Sequence, residues 1–116
     1  MALFGACSGG NGVKDMGVDA FEKAIAAEEK LQLIDVRTQD EFFEGHIPNS
    51  VSIDCSTGYF MQKAEAYLDI EQPVYLYCKS GARSMDAALQ LKDLGYKVVN
   101  LKGGFDEWKA KGKPTE

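Results

Sequence analysis

The chain has one histidine, one tryptophan, three prolines and three cysteines in 116 residues. Cys7, Cys55 and Cys78 form no CxxC pair and no Cys/His spacing of a metal site. Their odd number argues against a purely disulfide framework, and a reducing compartment is the simplest setting for a reactive thiol. No apolar run approaches the roughly 20 residues of a membrane-spanning helix. Positive charge is also short. Lys and Arg number 13 against 18 Asp and Glu, a formal net charge of −5, so nucleic acid and anionic membrane are poor partners. A negative whole can still hold a positive pocket, which leaves a small anionic substrate open. The opening "MALFGAC" ends on a cysteine as a lipoprotein box does, yet it lacks a basic n-region and a proper apolar h-region. A cytoplasmic location is expected, with a removed leader left open, and no cofactor or metal is implied.

What is present is the mix of an ordinary globular protein, 45% hydrophobic and 27% charged, at a length that suits one core. Residues 1–13 are rich in Gly, Ser and Asn and read as a loose tail. Residues 14–116 read as one domain, with no internal repeat and no interdomain linker. Two periods alternate along it. "AFEKAIAAEEK" puts Phe21, Ala24, Ile25 and Ala27 near one helical face. "LQLIDV" is a short apolar strand, "DEFFEG" a short helix closed by a left-handed Gly45, "SVSID" a strand and "YFMQKAEAYL" a helix. "VYLY" is apolar throughout, as expected of a strand covered on both faces. "SMDAALQLKDLG" lines up Ala87, Ala88, Leu91 and Leu94, with Gly95 as the cap. "YKVVNL" is a last strand and "GFDEWKAKG" a last helix. Strands alternating with helices predict an α/β fold, a parallel sheet with helices on both faces. Ligands bind such sheets beyond the carboxyl ends of the strands, and Cys78 stands at that place.

The segment from Cys78 to Arg83 reads "CKSGAR". Its small residues Ser80, Gly81 and Ala82 let backbone N–H groups turn inward as an anion nest. A helix starting near Ser84 aims its positive end at the same spot. Lys79 and Arg83 add two cations, and Asp86, in the helix's first turn, also suits the dipole. Each of the first three factors favours thiolate over thiol. The plain alternative is a buried strand-end cysteine acting as a small hydrophobe. Nest, helix start and cations in one short stretch outweigh it. A cradled thiolate implies covalent chemistry on an anionic substrate, and this physics alone leaves phosphoryl and sulfur transfer both open.

Taken in order, "LIDVRTQDEFFEGHIPNSVSID", "VYLYCKSGARS" and "GYKVVNLKGGFDEW" resemble the successive signatures of a rhodanese, or sulfurtransferase, domain. The resemblance runs from about Lys14 to Pro114. It implies a rhodanese-like three-layer fold, a five-stranded, mostly parallel sheet flanked by helices. It also implies that Cys78 takes a sulfane sulfur from thiosulfate or a persulfide or polysulfide donor. The persulfide so formed, cradled by the loop amides of Lys79 through Ser84, passes its sulfur to cyanide, a cellular thiol or a thioredoxin-like acceptor. By resemblance and charge Arg83 helps bind the anionic donor, and Lys79 steers anions. Ser84 is the expected N-cap. Cysteine-dependent phosphatases, and with them arsenate reductases, place five residues between Cys and Arg. Here four intervene, a cradle better sized for one sulfur atom than for a tetrahedral oxyanion. A catalytically silent binding module is a third reading, disfavoured by the intact Cys78. Some thiosulfate-using relatives carry cations where this chain has Ser80 and Glu41, so the donor stays open, as does the oligomeric state.

Asp35 and Arg37 of "DVR" lie at another strand end on the same sheet edge. They either line the pocket or form a scaffold network, the favoured reading, since structural ion pairs perturb charges without catalysing. His46 invites a base role that sulfur transfer through a thiolate does not need, so it is read as a turn-stabilising residue. Trp108 is assigned to the core, and Gly103 and Gly104 to a tight strand-to-helix turn. Cys55 is expected to be packed and Cys7 idle. Lys109, Lys111 and Lys113 are read as a solvated surface.

Overall fold

The computed structural model of the chain describes residues 11–116. Five strands and five helices follow one another: β1 Lys14–Met16, α1 Val18–Ala27, β2 Leu33–Asp35, α2 Gln39–Glu44, β3 Val51–Ser52, α3 Phe60–Tyr67, β4 Val74–Tyr77, α4 Ala82–Asp93, β5 Val98–Leu101 and α5 Gly104–Ala110. The strands form one sheet in the order β1-β5-β4-β2-β3. All pairings are parallel, as short strands joined by helical crossovers require. Among the described residues no helix is long and apolar enough to cross a membrane.

Alternation along the strands sorts the core into two layers. Ile34, Val74, Leu76 and Cys78 face α3 and α4, packing with Ala64, Ala87, Ala88 and Leu91. Leu33, Tyr75, Tyr77 and Val99 face α1 and α5, packing with Phe21, Phe105 and Trp108. The central strands β4 and β5 are buried at every position. The three-layer α/β fold expected above is thus the one present.

Several local expectations need correction. Val13 is fully buried and Asn11 accepts its amide hydrogen, so the tail expected over 1–13 is already part of the fold at its last residues. Residues 1–10, with Cys7, lie outside the described part. β1 reads "KDM", too polar and too short for an apolar pattern to reveal; as an edge strand beside β5 it needs only backbone pairing. In α1, Ala27 is exposed while Phe21 is buried. Leu94 is 46% exposed, because α4 ends at Asp93 and Gly95, at φ 101°, turns the chain so that Tyr96 enters the core instead. Gly45 takes φ 157° and ψ 141°, an extended glycine conformation rather than a left-handed one.

Candidate active site

Cys78 follows β4 directly, at the carboxyl edge of the sheet, and is 1% exposed. Its Sγ accepts a hydrogen bond from the Gly81 N–H at 3.1 Å and one from the Ser84 hydroxyl at 3.3 Å. Gly81, at φ 104°, is the N-cap of α4, so the helix starts at Ala82, two residues earlier than expected. The left-handed glycine turns the chain tightly enough to close the cap without a side chain. Ser84 is therefore not the N-cap. It sits one turn inside the helix, fully buried, with its hydroxyl on Cys78 Sγ and the Gly81 carbonyl. Asp86 consequently falls in the second turn. The twelve-residue helix still aims its amino end at the sulfur.

The loop carbonyls are held from outside. Phe105 N–H donates to the Cys78 carbonyl at 2.8 Å and Asp106 N–H to the Lys79 carbonyl at 3.0 Å. The first amides of α5 thus take up the carbonyls, which leaves the loop's own amides free to face the sulfur. This close approach needs Gly104. A Cβ there would lie 2.7 Å from the Cys78 carbonyl oxygen and closer still to that of Lys79.

Both loop cations are already paired. Arg83 makes a two-pronged bridge to Glu41, with both N···O distances 3.0 Å. Glu41 is fixed in turn by a capping box with Thr38. The Arg83 hydrogen bond, against a smaller opposing effect of burial, holds the Glu41 carboxyl at about 2. Lys79 Nζ lies 2.8 Å from Asp106 Oδ2, with both side chains more than half exposed. An incoming anion must therefore compete with a resident carboxylate for either cation. Ser80 and Ala82 are exposed beside the sulfur.

Asp35 and Arg37 are brought together but away from solvent, at 0% and 4% exposed. Asp35 accepts from the Arg37 backbone N–H at 2.9 Å, from Nε at 3.0 Å and from Nη2 at 2.7 Å. Arg37 also donates to the Gly45 carbonyl at 2.6 Å and lies 4.3 Å over the Phe105 ring. It ties β2, the end of α2 and α5 into one frame. A cavity of about 260 Å³ between this frame and the loop is lined by Arg37, Glu41, Lys79, Phe105 and Asp106.

The remaining candidates keep to scaffold positions. His46 stacks on Phe42 at 3.8 Å, and its Nδ1 lies 2.9 Å from the Phe42 carbonyl. Trp108 is buried and donates to the Pro114 carbonyl at 2.7 Å. Cys55 is half-buried against the α3/α4 layer, where burial pushes its thiol up. Lys111 and Lys113 bridge to Asp19, and Lys113 also to Glu22. Three participants have no counterpart among the sequence candidates: the Glu41 partner of Arg83, the Phe105 and Asp106 amides, and Asn100, whose amide reaches the Gly81 carbonyl at 3.3 Å. Two signals existed for them, the "TQDE" capping box and one polar residue inside the apolar run "VVNL".

The profile of the family described as Rhodanese-like domain matches residues 18–111. YtwF of Bacillus subtilis (strain 168) is 38% identical over 102 residues, which are 88% of this chain and 96% of that protein. The "Thiosulfate sulfurtransferase GlpE" of Coxiella burnetii (strain RSA 493 / Nine Mile phase I) is 38% identical over 79 residues, 67% of this chain and 71% of that protein. The crystal structure of a rhodanese-related protein from Thermoplasma volcanium superposes with a TM-score of 0.78 at 27% identity, covering 88% of this chain and 96% of the other.

Proposed function

The chain belongs to the rhodanese-like domain family, and from that premise we propose that it transfers sulfane sulfur through a persulfide on Cys78. The Cys78 thiolate attacks the outer sulfur of the donor. With thiosulfate, the donor S–S bond breaks and its electron pair leaves with sulfite, so that Cys78 carries –S–S⁻. An acceptor thiolate then attacks the outer sulfur, and the electron pair of the protein S–S bond returns to Cys78. A cellular thiol or a thioredoxin-like protein suits that second step, and cyanide serves in an assay.

The observation that carries this reading is the Cys78 sulfur itself, bonded by the Gly81 N–H and the Ser84 hydroxyl at the amino end of α4. Helix end and amides stabilise negative sulfur, as a nucleophile and leaving group requires. The short loop favours sulfur over a phosphoryl group. The pairing of Arg83 with Glu41 and of Lys79 with Asp106 favours one class of donor within it. A dianion such as thiosulfate must compete with a carboxylate for either cation, whereas a singly charged organic persulfide need not.

Intact-mass measurement after incubation with polysulfide, and separately with thiosulfate, tests the proposal. The wild-type chain gains one sulfur, about 32 Da by persulfide chemistry, and Cys78→Ser gains none. Loading by polysulfide but not thiosulfate identifies polysulfide as a donor and removes thiosulfate. A wild-type mass unchanged by both donors sinks the proposal.

A further inference from the structure

Asn100 is a buried polar side chain in the middle of an apolar strand, 2% exposed. It lies on the Cys78 side of the sheet, opposite Leu76 in the register. Its Nδ2 donates to the Asp15 carboxylate at 3.0 Å and to the Gly81 carbonyl at 3.3 Å. Both partners are acceptors, so the amide has only one workable orientation. Its Oδ1 is then left buried without a hydrogen-bond partner. Such a group destabilises the fold and calls for a reason.

The reason lies in the shape of the cradle. Three of its carbonyls are drawn off by neighbouring groups: Cys78 by Phe105 N–H, Lys79 by Asp106 N–H, and Gly81 by Asn100 and the Met85 N–H. Gly81 is the residue whose own N–H reaches Cys78 Sγ. In a planar trans peptide the N–H points opposite to the C=O. Holding the Gly81 carbonyl toward β5 therefore turns the Ala82 N–H the other way, off the front of α4. It also fixes ψ of Gly81 at −12°, and so the angle between the Gly81–Ala82 peptide and the Gly81 N–H that bonds the sulfur.

We propose that Asn100 is a positioning residue for sulfur transfer: it anchors the Gly81 carbonyl so that the cradle amides stay aimed at the sulfur of Cys78. Asp15, on the edge strand β1, orients the Asn100 amide. The inference rests on the persulfide reading for its kinetic arm and stands without it for its alkylation arm.

Asn100→Leu is the decisive variant, since it is close to isosteric and removes the orphaned Oδ1 together with both donors. Alkylation of Cys78 by iodoacetamide, followed by mass across pH, reads the cradle directly. The charged and titratable groups around Cys78 and Asn100 are Arg83 with Glu41, Lys79 with Asp106, Cys55, and Asp15; the substitution changes the charge of none and removes only the Asn100 bond to Asp15. The expected result is a thermal midpoint equal to or above wild type and an alkylation profile displaced upward, because the Gly81 N–H bond to sulfur is loosened. Turnover with the sulfane donor that loads wild type falls on the order of tenfold in kcat, with KM changed less than about twofold. Asn100→Ala repeats the measurement if the leucine does not fit. Variants that lose stability but keep the wild-type alkylation profile and the kcat of the folded fraction overturn the proposal. Failure of wild type to load sulfur refutes the persulfide reading alone, because the alkylation profiles still report on Asn100.

Discussion

Gly104→Ala separates the contact between α5 and the cysteine loop from ordinary glycine strain. Gly104 has φ 64°, and a side chain in that region costs about 1 kcal/mol or slightly more. The added Cβ also runs into loop backbone, 2.7 Å from the Cys78 carbonyl oxygen and nearer to that of Lys79, and backbone cannot swing aside. The start of α5 must retreat, which strains or breaks the Phe105 and Asp106 bonds at 2.8 and 3.0 Å. Two buried backbone bonds are worth about 2 kcal/mol together, for a total near 3–4 kcal/mol. Gly103→Ala is the control. At φ 83° it carries similar strain, but the three atoms nearest its added Cβ all belong to the Glu107 side chain, which can swing away, rather than to backbone, so about 1 kcal/mol is expected. Urea unfolding of both variants measures the difference. Thermal midpoints should fall by about 12 °C or more for Gly104→Ala and about 4 °C for Gly103→Ala, at roughly 4 °C per kcal/mol for a domain near this size. If the two variants fall within about 0.5 kcal/mol of each other, α5 does not hold the loop in shape.

Three further outcomes follow from the ion pairs. Glu41 titrates at about 2 in the folded chain against 4.5 for a free side chain. The stability from its bridge to Arg83 is therefore complete above about 4.5 and is lost as pH falls toward 2. Because the pair is partly solvated it is worth about 1 kcal/mol, so urea midpoints of wild type and Glu41→Gln should differ at pH 7 and converge near pH 2. A gap independent of pH refutes the coupling. The same variant frees Arg83, so kcat/KM with thiosulfate should rise severalfold while that with a low-charge persulfide stays put. Asp35→Asn leaves a buried Arg37 without its counter-ion and should cost about 3–5 kcal/mol in urea unfolding at neutral pH; a cost under 1 kcal/mol would mean that water in the adjoining cavity solvates the guanidinium.

The frame of the fold was legible because it is written in periodicity. "VYLY" and "VVNL" are buried at every position, and Ala87, Ala88 and Leu91 carry the inner stripe of α4. The place of Cys78 follows from the same pattern. What escaped is set by contacts remote in sequence. β1 has no apolar signature because it pairs as an edge. The start of α4 was misplaced because serine is a common cap, while Gly81 caps by a backbone angle that only the fold demands. The cations were read as free because each partner carboxylate belongs to another element, Glu41 to α2 and Asp106 to α5. Asn100 was passed over for the same reason, since its partners Asp15 and Gly81 lie 85 and 19 residues earlier in the chain.

The strand order carries a consequence for the time course of folding. β1 is made first, yet its one neighbour in the sheet is β5, the last strand made. The amides that take up the Cys78 and Lys79 carbonyls come from the helix after that strand. Closing such long loops is slow, because their entropy is lost before the contacts form. On the ribosome, Cys78 emerges before β5 and α5, so the amides that take up its loop carbonyls arrive only after β5 is available to slot between β1 and β4.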